Sequence, residues 1–419
     1  MHTPAEKLAA RPRFVLRSRG MMSAGSTRWP AVFAAIFAGV VGACAFGKMS
    51  PALPLLKAEF GLSLIEAGWL VSTFNALAAA GAILFGVFAD RIGPLRFCVS
   101  GVILVGAGSA LGVLGSGAGA LIALRLLEGL GFLAIIVSAP SLIAASTAPE
   151  RRGIAFGLWS TYMPFGVSWV VASSPPLLDR FGWRGVWLLV AFAAAVCAAT
   201  LLAQSRHYAG VASGTRRSLA SVRRSFAQPV PWLLGLAFAM FAIQHVTLMV
   251  WLPTYLLETR AIAGATAALL TALAVFVNCF GNLLGGWLIQ RNLPRGRIIA
   301  ATFVVTSLLF VGIFAAGLPD SLRYALAVFY SFIGGTIPAV ALSAGVRYAR
   351  SPAEIGAIQG LIINITHIGI FFGTPLVAAS VTWGGSWDAV LWVMLGCAAV
   401  GLAAAAAIGR YERRAGRDS

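Results

Sequence analysis

Charge is what this chain has least of. Only 11% of its residues are Asp, Glu, Lys or Arg, against about a quarter in soluble domains. A soluble protein that poor in charge could not cover its surface, so lipid has to be part of its solvent. Lysine is almost missing, with Lys7, Lys48 and Lys57 the only three. The four histidines, His2, His207, His245 and His367, lie far apart. No H-E-x-x-H occurs, which removes the zinc-hydrolase signature. The five cysteines (Cys44, Cys98, Cys197, Cys279, Cys397) each lie in a different apolar run and form no C-x-x-C. Neither a zinc site nor a redox pair is signalled, and they read as small apolar fillers. Gly129-x-Gly131-x-x-Ala134 lacks the strand–turn–helix context of a dinucleotide loop. The G-x-S-G of an intramembrane protease is missing too. No enzyme class and no cofactor is called for.

What is present is apolar. The chain is 59% apolar with a mean hydropathy of +0.88. A spanning helix needs about 20 mostly apolar residues. Apolar runs fall at roughly 30–50, 64–88, 97–114, 118–144, 153–177 and 184–203, and again at 232–254, 262–289, 298–317, 322–345, 355–380 and 387–408. They are too long and too uniform for strands. The expected fold is an all-α membrane protein of twelve transmembrane helices in two six-helix halves, 29–203 and 231–409. Residues 204–230 form the basic linker between them, with tails at 1–28 and 410–419. The first tail is basic without an apolar core, unlike a cleaved signal peptide, and disorder is expected there; Met21 and Met22 offer a later start.

The net charge of +18 could suggest nucleic acid, but the apolar runs leave no soluble domain to bind a duplex. With the N-terminus inside, 24 Lys/Arg fall in cytoplasmic segments and five (Lys57, Arg180, Arg184, Arg260, Arg323) in outer ones. That bias predicts both termini on the cytoplasmic side of a cell (inner) membrane.

The halves repeat weakly. A shift of 200 superposes Gly81, Gly86, Arg91 and Pro94 on Gly281, Gly286, Arg291 and Pro294. A shift of 203 superposes Gly153, Gly157 and Gly166 on Gly356, Gly360 and Gly369. Two-half transporters carry such symmetry, with the substrate site between halves. The G-x-x-x-G spacings at Gly153/Gly157, Gly281/Gly285 and Gly356/Gly360 predict close helix crossings.

Gly86-Val-Phe-Ala-Asp90-Arg91-Ile-Gly93 matches the G-x-x-x-D-R-x-G signature, and Gly286-x-x-x-Gln290-Arg291 is its decayed copy. Arg125-Leu-Leu-Glu128-Gly129-Leu-Gly131 resembles R-x-x-Q-G-x-G, and Glu150-Arg151-Arg152-Gly153 resembles the loop before a fifth span. On these motifs the chain, over about 29–409, resembles the major facilitator superfamily. Gly157-Leu-Trp-Ser and the stretch 53–63 (LPLLKAEFGLS) resemble its cyanate/nitroimidazole transporter branch. The fifth span lacks the family's antiporter G-P-x-x-G-G core, which counts against a drug/proton antiporter. The resemblance implies gating by Gly86, Asp90, Arg91, Gly93, Glu150, Arg152, Gly286 and Arg291, and a monomer.

Ionisable groups inside spans are costly and are candidate functional sites. Lys48 lies late in the first span and Arg125 early in the fourth. Glu128, at i+3 from Arg125, can pair with it. Two cations and one acid leave a surplus positive charge, which favours an anionic substrate or an anion-like group on a neutral one. Substrate binding is assigned to Lys48, Arg125, Tyr162, Gln244, His245 and Asn364, and proton coupling to Glu128, His245 and His367. Bland alternatives stand beside these. Lys48 can snorkel to the headgroups, Arg125–Glu128 can be a structural pair, and the histidines and amides can be interhelical glue. A small-anion carrier, with protons as partner, is the reading taken. Efflux of lipophilic compounds is the alternative within transporters, and a channel or a ligand sensor lies outside them.

Overall fold

The computed structural model describes residues 27–81, 85, 92–208, 226–315, 317–343, 347–348 and 352–415. Among them, twelve helices are long and apolar enough to cross a membrane. In chain order they are α1 Trp29–Phe60, α2 Leu64–Gly81, α3 Pro94–Gly112, α4 Ala118–Ser146, α5 Pro149–Ser173, α6 Pro175–Ala203, α7 Pro229–Arg260, α8 Gly264–Gln290, α9 Arg295–Phe314, α10 Asp320–Leu342, α11 Ala357–Gly384 and α12 Trp387–Arg414. With an even number of spans, both ends of the bundle emerge on one face, called here the terminal face. The gating calls Gly86, Asp90 and Arg91, residues 1–26 of the first tail, and 209–225 of the linker lie outside the described residues.

Local chemistry sets the helix ends. Pro94, Pro175 and Pro229 start α3, α6 and α7, where a proline's missing N–H costs nothing. Ser63 and Glu66 close a capping box on α2, each satisfying the other's exposed backbone N–H. Gly93 precedes α3 with φ +95°, a conformation glycine adopts without a Cβ clash. The Glu412 carboxylate of α12 accepts from the Arg295 and Gly296 N–H groups, both at 3.1 Å. It thereby caps the positive end of α9.

α1 and α7 run further than their apolar cores, to Phe60 and Arg260. Both carry proline inside, Pro54 in α1 and Pro253 in α7. A proline removes the hydrogen bond to the carbonyl four residues back. In α7 that carbonyl belongs to Met249, and the Ser50 hydroxyl of α1 donates to it instead.

The weak repeat becomes concrete in packing. A Cβ on Gly166 of α5 would meet the Val40 carbonyl of α1 at 2.6 Å, and one on Gly369 of α11 would meet Ala239 of α7 at 2.8 Å. Gly129 of α4 presses on the Phe74 carbonyl of α2, as Gly335 of α10 presses on the Asn278 carbonyl of α8. Where Gly101 of α3 abuts Gly131 of α4, α9 and α10 join Thr302 to Thr336 by a 2.8 Å hydrogen bond. Gly281 and Gly285 do sit at a crossing, against Phe332 and Thr336 of α10. Gly153 and Gly157 correct their expectation, since neither has any atom within 4 Å of a built Cβ. A G-x-x-x-G spacing marks a face that can pack, and this one faces open space.

Among the described residues, several contacts between α1–α6 and α7–α12 lie at mid-span or toward the face opposite the termini. Lys57 and Glu258 pair at 3.0 Å, and Trp387 donates to the same carboxylate. Gly68 lies against Pro375, and Trp69 meets Phe371 edge-on at 5.4 Å. Near mid-span, Asn364 donates to the Ala78 and Ala79 carbonyls at 2.8 and 2.9 Å.

Candidate functional site

The break in α1 makes the site. Its first helical segment closes at Gly47, with Lys48 between it and the segment beginning at Met49. Pro51 has no N–H to return to the Gly47 carbonyl, so the helix is interrupted beside Lys48. The lysine does not snorkel: it is wholly buried. Its ammonium donates to the Glu128 carboxylate of α4 and to Ser109 Oγ of α3 at 2.9 Å, and lies 4.2 Å from the Trp187 ring centroid of α6.

Arg125 completes the group. Its Nη1 donates to Glu128 Oε2 at 2.8 Å and to the Ala45 carbonyl of α1 at 2.6 Å. Its guanidinium lies over the Phe74 ring at 4.5 Å. Ser109 donates to Glu128 Oε1 at 2.7 Å. Gly108 leaves room for that carboxylate, since a Cβ there would fall 2.6 Å from Glu128 Cγ. Five helices thus converge on two cations and one anion, all buried. Buried charges persist only when paired and hydrogen-bonded. Here the pairing is incomplete: Arg125 Nε and Nη2 are buried with no hydrogen-bond partner.

The α4 face that carries Arg125 also carries Phe132, seven residues on. Phe132 reaches α11, with its ring 6.5 Å from that of His367. It also touches Phe74 at 5.2 Å, and Phe74 touches Phe46 at 5.6 Å. A phenyl wall therefore runs from Arg125 to the boundary between α1–α6 and α7–α12.

The other sequence candidates scatter. His245 is buried, stacked on Phe241 at 5.3 Å, with Nδ1 unpartnered. His367 Nδ1 bonds the Ile363 carbonyl of its own helix at 2.8 Å. Gln244 turns toward α12 and donates to the Met394 carbonyl at 2.8 Å, leaving its Oε1 buried and unpaired. Asn364 spends its amide N–H groups on α2. Tyr162 stacks on Trp159 at 4.4 Å. Glu150 and Arg152 are exposed in the first turn of α5. Gly286 has open space around it, and Arg291 lies over Trp287 at 4.9 Å. Of the binding and coupling candidates, Lys48, Arg125 and Glu128 form one cluster. Ser109, Trp187 and Phe74 complete it without having been singled out. A serine after Gly108 and one tryptophan among twelve carry no local signal of that role.

A family model described as Major Facilitator Superfamily matches residues 31–374. A candidate niacin/nicotinamide transporter, NiaP, of Bacillus subtilis (strain 168) is 27% identical, over 79% of this chain and 83% of its own. The gallate transporter of Pseudomonas putida is 26% identical, over 77% and 82%. The cyanate transport protein CynX of Escherichia coli (strain K12) is 25% identical, over 81% and 88%. Among solved structures, a bacterial homolog to the human lysosomal transporter Spinster, inward-facing and occupied, superposes with a TM-score of 0.75 at 17% identity. That match covers 93% of this chain and 98% of the other, and at such identity it speaks to fold alone.

Proposed function

Because this chain belongs to the major facilitator superfamily, a family of multi-pass membrane transporters, we propose that it carries a small anionic solute by alternating access, with protons as the coupling ion. The observation that carries this reading is the Lys48–Arg125–Glu128 cluster, which holds one cation more than it has anions and leaves two N–H groups of Arg125 unpaired. An anion supplies both the missing charge and the missing acceptors. The solutes named for the gallate and cyanate relatives fit that class. We assign proton coupling to Glu128, which pairs with both cations, and to His245 and His367.

The terminal face is taken as cytoplasmic, in a cell (inner) membrane, on the charge bias. On that orientation, the contacts at Lys57–Glu258 and Gly68–Pro375 support the reading of a carrier closed on its outer face. Counterflow in proteoliposomes tests the substrate class. Anions should exchange, and Arg125→Ala should raise the apparent KM about tenfold or more, the scale of losing hydrogen bonds to a charge. Exchange of lipophilic cations with no anion exchange would move the protein to the efflux class.

The outer contacts give a second test. Lys57 and Glu258 meet across the halves at 3.0 Å and must part for that face to open. In a Lys57→Cys/Glu258→Cys variant, bridging the two thiols with a reducible bifunctional thiol reagent should stop counterflow, and reduction should restore it. Transport that persists with the crosslink in place would show that this face need not open.

A further inference from the structure

We propose that the transported anion is a monocarboxylate with a ring-bearing, apolar remainder, held two-pronged by the Nε–Nη2 edge of Arg125 beside the Phe74–Phe132 wall. This rests on the anion reading above and narrows it.

A guanidinium offers two edges on which a pair of N–H groups point in parallel. The end edge uses both Nη atoms, and the side edge uses Nε and Nη2. In this site Nη1 is consumed by Ala45 and Glu128, so the end edge is broken. The two atoms left buried and unpartnered are Nε and Nη2, which together form the intact side edge. Two parallel donors match the two oxygens of a carboxylate and give it geometric selectivity that a point charge lacks. Burial sharpens that preference, because an anion reaching only one donor leaves the other unsatisfied, and an unmade buried hydrogen bond is costly.

Charge count and surroundings fix the rest. With Lys48 and Arg125 against Glu128, a single negative charge brings the cluster to neutrality. A dicarboxylate would overshoot and bury an uncompensated charge. Phe74 packs its ring under the guanidinium, and the Phe132 ring lies 5.2 Å from that of Phe74. Phe46 lies behind Phe74 at 5.6 Å. Offset or edge-on ring pairs are favourable at such separations, so the organic part of the ligand is apolar and flat.

The test uses the full chain in proteoliposomes, with benzoate counterflow as the readout. Benzamide, acetate, phthalate and chloride serve as competitors, and melting temperatures are recorded for every variant. Benzoate should compete best and acetate about tenfold less well, the scale of a lost ring contact. Benzamide and phthalate should not compete. Arg125→Lys keeps the charge beside Glu128 but loses the fork. It should weaken benzoate about tenfold or more while melting near the parent. Phe132→Ala should weaken benzoate more than acetate. If chloride competes as well as benzoate, or Arg125→Lys binds benzoate undiminished in a folded protein, the carboxylate proposal is overturned and the anion reading stands. If no anion exchanges at all, both fall.

Discussion

Replacing Glu128 by alanine is expected to lower the unfolding free energy by about 3–5 kcal/mol, the cost of breaking a buried ion pair from one side. The reason is an asymmetry in the cluster. Among the described residues, Glu128 is the only acid paired with Lys48 and Arg125, and it holds both, one through each oxygen. Removing it leaves two cations facing each other in a site that water does not reach. Removing either cation leaves a neutral pair, so Lys48→Met and Arg125→Ala should cost less than Glu128→Ala. A double variant makes the point sharper. Adding Lys48→Met to Glu128→Ala removes the cation–cation repulsion and should recover part of the loss, a coupling that a double-mutant cycle reads directly. Thermal unfolding of the purified protein in detergent, followed by tryptophan fluorescence, is the measurement. If Glu128→Ala melts with Arg125→Ala, the acid is not the keystone of the cluster.

Gly281→Ala is expected to cost about 2–3 kcal/mol, the scale of overpacking a tight contact, even though alanine is the better helix former. A Cβ at Gly281 lands on the Phe332 carbonyl, backbone that cannot rotate away, with Gly335 alongside. Pushing α8 from α10 would also stretch the 2.7 Å bond from Asn278 Nδ2 to the Ser331 carbonyl. Gly157→Ala is the matched control. It has no neighbour within 4 Å, so the same change should be neutral or gain up to about 1 kcal/mol from helix propensity. Equal melting of the two variants would contradict the packing described for α8 and α10.

The sequence disclosed the fold through two long-range regularities, the apolar runs and the glycine repeat. The apolar runs survive because a span must be about twenty residues long, and of the repeat the Gly166/Gly369 pair survives as close crossings that tolerate only small residues. Charge placement singled out Lys48, Arg125 and Glu128, since an ionisable residue in a span has few ways to be tolerated. Which direction each pointed was not legible. Lys48 could have snorkelled outward, and only the break ahead of Pro51 and the approach of Ser109 and Trp187 from other helices turn it inward. Gln244 and Asn364 looked like cavity-lining amides, yet each spends its N–H groups on the backbone of another helix. Gly153/Gly157 and Gly281/Gly285 share a spacing, and only the neighbouring helix separates an open face from a crossing.

Pro253 makes the contact between α1 and α7 a readily reversible one. Because that proline has no N–H, the Met249 carbonyl owes nothing to its own helix, and Ser50 of the other half fills the vacancy. Under the proposed alternating access the halves part, and water takes Ser50's place with no helical bond to break or remake. Exchanging a protein donor for water changes the free energy little. The contact therefore acts as a docking point of nearly zero net strength, adding registry to the closed state without deepening it. A carrier working by the proposed alternating access is better served by such a joint than by a strong one.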